Sequence, residues 1–247
     1  MNKLKKSSWM KKDIFDQPNL INSSIKNRIN FSNFSVNFPE IENSNLDISS
    51  IDRIIFTGMG SSYNAALYGA NIMEKISKIP SKAENSSEMF YSDYSYSSKT
   101  LLISITQSGE SSDVIQMMKD AKSKSIFQIV ISESKNSQAS KISDIFLPIN
   151  SGTEYSIAAT KTFSLSILLL IELSIYFGEK RSISISRYIN DIKNLSSLLL
   201  NYIKDEKNIN SINDISKYIS SYGSIFCLGR GILFPIALEG SLKIMLC

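Results

Sequence analysis

The sequence predicts an α/β fold built on a doubly wound parallel sheet. Short apolar runs rich in β-branched residues alternate along the chain with segments whose apolar positions recur at helical spacing. The runs show little polar alternation, the mark of strands buried on both faces. Three of them lead into turns of Gly, Ser and Thr, which a parallel sheet collects at its carboxyl edge, where ligands bind. The stretch Thr100–Lys124, TLLISITQSGESSDVIQMMKDAKSK, combines all three features.

Met1–Phe38 reads as an arm or hairpin of helices, with Asp16-Gln17-Pro18 as a helix start and Leu20, Ile21, Ile25 and Ile29 at helical intervals. Asn37–Ser49 is polar, contains Pro39 and reads as a loop or linker. Ile51–Thr57 is the first strand of the alternation, and Gly58–Ser62 is a tight turn. Tyr63–Ile79 is a helix stopped by Pro80. Ser81–Tyr96 has weak periodicity, with a short strand at Lys82–Asn85 and a helix near Glu88–Tyr91. Leu101–Ile105 is the next strand, and from Asp113 a helix carries Val114, Ile115, Met117, Met118 and Ala121 on its apolar face. Ser125–Ser132 is a strand and Ser137–Lys141 a short helix. Asp144–Ile149 is an edge strand, because Pro148 cannot donate to a ladder. A polar loop, Gly152–Thr160, leads into the helix Lys161–Phe177. Ser182–Lys204 and Ile209–Tyr222 are amphipathic helices, Ser224–Leu228 is a last strand, and Ile236–Leu246 is helical.

Composition narrows the chemistry. With 43% hydrophobic and 20% charged residues, the chain has an ordinary globular balance. The net charge of +4 is modest, and basic residues cluster only within Met1–Lys12, a nucleic-acid arm or a solvated terminus. No apolar region follows that segment, so no signal peptide is read. Phe163–Phe177 is apolar nearly all round but contains Glu172 and is shorter than the ~20 residues that span a bilayer. A central buried helix is expected there, with no membrane or nucleic-acid partner and a cytoplasmic location. The chain has no histidine and two cysteines, Cys227 and Cys247. Those two could form a disulfide or remain thiols. A zinc site and a Cys–His or Ser–His nucleophile pair are excluded, so neither metal nor cofactor is expected. Acid–base work falls to carboxylates, lysines or tyrosines.

Three turns could carry a site. Gly58-Met59-Gly60-Ser61-Ser62 lacks the third Gly of a dinucleotide turn and by itself reads as a tight βα corner. Thr106–Ser112 places four hydroxyls and one Gly before a helix N-terminus, where unpaired amides and the helix dipole favour an anion. It lacks the Lys of a nucleotide-binding loop, so a monophosphate fits it better than a pyrophosphate. The plainer alternative is that Ser111 or Ser112 caps the helix. Gly152–Lys161 reads either as a capped start to the following helix, by Ser156 or Thr160, or as a close approach to a ligand.

Four stretches in order, GMGSSYNA at Gly58–Ala65, ITQSGESSD at Ile105–Asp113, EYSIAATKTF at Glu154–Phe163 and GRGILFPIALEGSLK at Gly229–Lys243, carry a resemblance to a known family. They resemble motifs of the SIS (sugar isomerase) domain family, and within it the isomerase half of the glutamine–fructose-6-phosphate aminotransferases. SSEMFY at Ser86–Tyr91 and DIFDQP at Asp13–Pro18 extend the resemblance over nearly the whole chain. It implies a three-layer αβα sandwich with a parallel doubly wound sheet, the SIS fold, plus the start of a second SIS domain. The division implied is a helical arm over residues 1–48, a first SIS domain over 49–205 and a partial second one over 206–247. Ser62, Thr106, Gln107, Ser108 and Ser111 would hold the phosphate and sugar of fructose 6-phosphate or glucosamine 6-phosphate. Ile157 and Ala159 would contact the sugar. Glu239 and Lys243 would line the site and serve ketose–aldose isomerisation through an enediol, and a homodimer is implied by the same resemblance.

The chain also departs from that family. The family usually has Ser at Ala159 and a glutamate at Leu246. Its ring-opening histidine has no counterpart, its lysine loop would lie beyond Cys247, and no glutaminase domain with a cysteine nucleophile is present. A truncated or split gene product is expected, with an unusual short family member as the alternative, catalysing that reaction incompletely or binding sugar phosphate without catalysis. Glu239 and Lys243 would equally form an i,i+4 helix pair, and Glu110 reads as a first-turn carboxylate at a helix N-terminus.

Overall fold

In the computed structural model, which describes residues 3–89, 91, 96–97 and 99–246, the chain opens with one long helix, α1 (Lys3–Arg28). The expected helix start at Pro18 is not there, because Pro18 lies inside α1. Asp13 and Asp16 tie the preceding turn to Lys161 at 3.2 and 3.4 Å. Ser196 Oγ donates to the Pro18 carbonyl at 2.7 Å. These tertiary contacts outweigh the break that proline favours. In place of a second helix comes a hairpin, β1 (Ile29–Asn30) paired with β2 (Ser35–Val36). A single turn, α2 (Pro39–Glu42), interrupts the expected linker.

The alternation then follows the expected order, with ends shifted by at most three residues. It runs β3 (Arg53–Gly58), α3 (Ser61–Ser77), β4 (Ser81–Asn85), α4 (Ser86–Met89), β5 (Thr100–Ile105) and α5 (Ser112–Ser123). It continues with β6 (Phe127–Ser132), α6 (Gln138–Ile142), β7 (Ile145–Pro148) and α7 (Lys161–Lys180). The strands form one sheet in the order β4-β3-β5-β6-β7, every pair parallel, with Ile54 opposite Leu101 and Leu101 opposite Phe127. Pro148 sits on an edge strand, where its missing N–H costs no ladder bond. Alternate side chains feed two cores. Ile54, Phe56, Leu101 and Ile103 pack with α1, α3 and α7, while Ile55, Leu102 and Val130 pack with α5 and α6. The chain leaves β3 in one direction for β4 and returns to its other side for β5. The crevice between the carboxyl ends of β3 and β5 is therefore the switch point of the sheet, the place where such folds bind ligands.

Helix α7 has 20 residues and is long and apolar enough, by length and composition alone, to cross a membrane. Of its apolar window, 72% is buried inside the protein, so it acts as the core helix expected, three residues longer than read. The segment expected as one helix over Ser182–Lys204 is two, α8 (Ser186–Ile192) and α9 (Leu195–Lys204). They precede α10 (Glu206–Ile219), whose N-cap Asp205 accepts from the Lys207 amide. The expected strand Ser224–Leu228 does not form. The sheet ends at β4 and β7, no strand adjoins this run among the described residues, and Phe226 and Leu228 are 86% and 90% exposed. An apolar run cannot remain a strand without a ladder partner. A 3₁₀ turn at Gly231–Leu233 then leads into α11 (Phe234–Leu246), which lies against α3. Cys227 is a free thiol, while Cys247 and Phe90 lie outside the described residues.

One buried carboxylate gives the fold a pH dependence. Glu172 of α7 is fully buried, accepts from Ser24 Oγ at 3.1 Å and lies 4.0 Å from Arg28, which is itself paired with Glu40 at 3.0 Å. Burial pushes its carboxyl up to about 7, against the opposing pull of the Arg28 guanidinium and the Ser24 hydroxyl. Its folded-state value is thus above the unfolded one, so its contribution is full in acid and is lost as pH rises through about 7. The loss amounts to about 3 kcal/mol. Glu172→Gln keeps a partner for Ser24 and leaves Arg28 on Glu40. Thermal melts between about pH 5 and about pH 8 should show the native chain losing stability where the variant does not. Parallel curves for the two proteins would contradict the assignment.

Candidate functional site

The turn after β3 is set by a close backbone approach. A Cβ on Gly58 would stand 2.8 Å from the Ser62 carbonyl carbon and 3.0 Å from the Ile105 carbonyl oxygen, so only glycine lets the ends of β3 and β5 and the start of α3 meet. Ser62 then lies in the first turn of α3, its amide donating to the Met59 carbonyl at 3.0 Å.

The turn after β5 folds around its own hydroxyls. Thr106 is buried; its Oγ1 lies 3.2 Å from Ser111 Oγ and accepts from the Gly109 amide at 3.3 Å. Ser108 Oγ accepts from the Glu110 amide at 3.1 Å. Ser111 occupies the N-cap position of α5, yet its hydroxyl makes no cap bond. The Ile115 amide donates to the Ser111 carbonyl, leaving the amides of Ser112, Asp113 and Val114 ahead of the helical ladder. The reading of this turn as a simple serine cap therefore does not describe it. Gly109 has φ +70°, and a Cβ there would fall 2.1 Å from Ser137 Oγ, the cap of α6. Glu110 accepts from the Gln138 amide and side chain at 2.9 and 3.0 Å, so it serves the N-terminus of α6.

The third loop is held by carboxylates. Glu133 accepts from the Ser151 and Gly152 amides at 3.0 and 2.9 Å. Asp13 of α1 accepts from the Tyr155 and Ser156 amides at 3.0 and 2.8 Å. Glu154 accepts from Thr160 Oγ1 and the Lys161 amide, each at 3.0 Å, and so caps α7. Neither Ser156 nor Thr160, the caps expected from sequence, does this. Burial pushes the Asp13 carboxyl up, but the Ser156 amide, the Lys161 ammonium and the Tyr155 amide together hold it below the usual carboxylate range.

These three turns surround one cavity of about 260 Å³ at the switch point. Ser62, Gln107, Ser108, Ser111, Ile157 and Ala159 all line it. Thr106 is not in the wall and acts from beneath, through Ser111 and Gly109. Glu239 and Lys243 also stand outside the lining. Glu239 is buried, accepts from Asn64 Nδ2 at 2.8 Å and is paired with Lys243. Lys243 Nζ donates at 2.9 Å to Ser61, which does line the cavity. The helix-pair reading of these two residues and their nearness to the cavity hold together. Among the described residues, no group of His, Cys, Asp and Glu could hold a metal ion.

Sequence reasoning missed several members of the wall. Thr162 accepts from Gln107 Nε2 at 3.3 Å and lies 3.1 Å from Ser151 Oγ, tying the second turn to the third. Phe163 and Leu246 close apolar parts of the wall. Only the motif position of Thr162, beside Lys161, could have flagged it. The anchoring roles of Asp13 and Glu133 depend on contacts between distant segments and leave no local signal.

The SIS domain family profile matches residues 47–175. The isomerizing glutamine–fructose-6-phosphate aminotransferase of Pyrococcus horikoshii is 35% identical over 238 residues, covering 96% of this chain and 38% of that protein. Its counterpart in Campylobacter jejuni is 31% identical with the same coverage. The chain thus spans 38% of the length of these curated relatives. The solved C-terminal domain of glucosamine-fructose-6-phosphate aminotransferase from Francisella tularensis matches 100% of this chain and 69% of its own, with a TM-score of 0.87 and 27% identity. The layered α/β architecture is shared with that domain.

Proposed function

The chain belongs to the SIS domain family, and from that premise we propose that it binds a hexose 6-phosphate, with the phosphoryl group on the turn between β5 and α5. The observation that carries this reading is the convergence of Ser62, Ser108 and Ser111 on one cavity at the N-terminus of α5. Hydroxyls, helix-start amides and the helix dipole together complement a phosphate dianion. Ile157 and Ala159 of the third loop, together with Gln107 of the phosphate turn, would take the sugar. Fructose 6-phosphate is the first choice of ligand, because the relatives are named for it.

Proton transfer of the isomerase type belongs to the same reading. Glu239, as a carboxylate beside the cavity, would take the C1 proton of the open-chain ketose and return it to C2, passing through an enediol. Lys243 would carry the positive charge that steadies the enediolate oxygen. Residues 206–247 fit the opening of a second SIS unit, a reading supported by their exposed apolar side chains Phe226, Leu228 and Met245.

A second reading, binding without catalysis, is favoured by one observation: Glu239 is already engaged by Asn64 and Lys243. Solvent-deuterium exchange at C1 of fructose 6-phosphate separates the two. The isomerase reading expects exchange that falls at least about a hundredfold in Glu239→Gln, consistent with removal of a general base. Equal exchange in both proteins would leave binding alone.

A further inference from the structure

The cavity wall that carries Ile157 and Ala159 has no regular secondary structure, yet its backbone is held at mid-loop from outside the sheet. Both amides just before Ile157, those of Tyr155 and Ser156, donate to a single oxygen of Asp13, 142 and 143 residues away. Asp13 is fully buried, and its other oxygen lies 3.2 Å from Lys161 Nζ, itself only 3% exposed. Asp16 approaches the same ammonium at 3.4 Å. One turn earlier on α1, Trp9 stacks on Tyr155 with ring centroids 4.7 Å apart. Lys12 Nζ lies 5.5 Å from the centroid of the same tyrosine ring.

We infer that Asp13 is a positioning residue for the sugar-facing wall of the cavity: it fixes the backbone immediately before Ile157, so that α1 sets where Ile157 and Ala159 stand relative to the phosphate turn. This inference rests on the sugar-phosphate reading above. The physical reason is that two partly buried amides and a buried ammonium share one carboxylate. An uncharged or shorter side chain cannot satisfy all three, and each unsatisfied group carries its own desolvation cost. Glu133 and Glu154 hold the two ends of the loop and do not reach its middle. The hydrogen bonds and ion pair of Asp13 go to Tyr155, Ser156 and Lys161 and none to residues 106–112, so losing the anchor should disturb one half of the ligand and spare the other.

The test uses Asp13→Asn in the full chain and reads two quantities. Amide hydrogen exchange of the ligand-free protein should rise about tenfold or more at Tyr155 and Ser156 and stay unchanged at Ser112–Val114. Calorimetric titration should then show fructose 6-phosphate bound about tenfold more weakly, with inorganic phosphate bound as before. Trp9→Ala, which removes the stack from a partly exposed position, should move both readouts in the same direction by less, and it stands in should the Asp13 variant fail to fold. Equal weakening of fructose 6-phosphate and inorganic phosphate would overturn the inference, as would faster loop exchange with unchanged sugar-phosphate affinity. If the unsubstituted chain binds neither ligand, the functional reading itself fails, a result visible before any variant is made.

Discussion

Alanine at both Ser108 and Ser111 is expected to lower the affinity for fructose 6-phosphate by at least about a hundredfold. A hydroxyl that donates to a charged oxygen is worth about 1.5–3 kcal/mol, so two of them together reach the range of a hundredfold and beyond. Both residues line the cavity. Their internal bonds are few: Ser111 meets Thr106 at 3.2 Å and Ser108 accepts from Glu110 at 3.1 Å. The double variant should therefore melt within about 1 kcal/mol of the native chain, as expected for surface positions away from the core. Calorimetry and a thermal melt on the same preparation check both halves. A double variant that binds within about threefold of the native chain would show that the phosphate lies elsewhere.

Gly109→Ala should damage the same turn by a different route. The backbone there has φ +70°, a region that costs an L-residue about 1–2 kcal/mol. The new Cβ would also fall 2.1 Å from Ser137 Oγ and 2.3 Å from Ser137 Cβ, so α6 or the turn must move, and overpacking of this kind costs about 1–3 kcal/mol. A combined loss of about 2–5 kcal/mol is expected, together with loss of phosphate binding, because displacement of residues 106–111 dismantles the hydroxyl cluster. Gly152→Ala is the control. Its φ is +67°, close to that of Gly109, but nothing lies within 4 Å of the added carbon, so only the backbone cost of about 1–2 kcal/mol should appear. Equal melts for the two variants would show that contact with Ser137 is not what shapes the turn.

The core sheet was legible because burial on both faces writes itself locally. Thr100–Ile105 is buried at every position, and its apolar run needs no knowledge of distant partners to be recognised. The hydroxyl turn was legible for a similar reason, since a Ser/Thr-rich break between strand and helix is a short-range pattern. What escaped depends on distant chain segments. Pro18 sits inside α1 because Lys161 holds the turn before it and Ser196 donates to its own carbonyl. Ser224–Leu228 has strand composition and no neighbour to pair with among the described residues. Glu110 looked like part of its own turn but reaches across to Gln138. The loop between β7 and α7 shows the limit most clearly. Its composition left two readings balanced, and its shape comes from Glu133, Asp13 and Glu154, whose assignment to particular amides no periodicity reveals. Motif order compensated for this at Ile157 and Ala159, which line the cavity although nothing in their own character marks them.

The central claim is that one phosphoryl group is held where the ends of β3 and β5 diverge. A crystal structure of the chain with fructose 6-phosphate bound tests it most directly. The account predicts phosphoryl oxygens within hydrogen-bonding distance of the Ser62, Ser108 and Ser111 hydroxyls, with the sugar directed toward Ile157 and Ala159. Well-ordered ligand density elsewhere, with this corner unengaged, would contradict it.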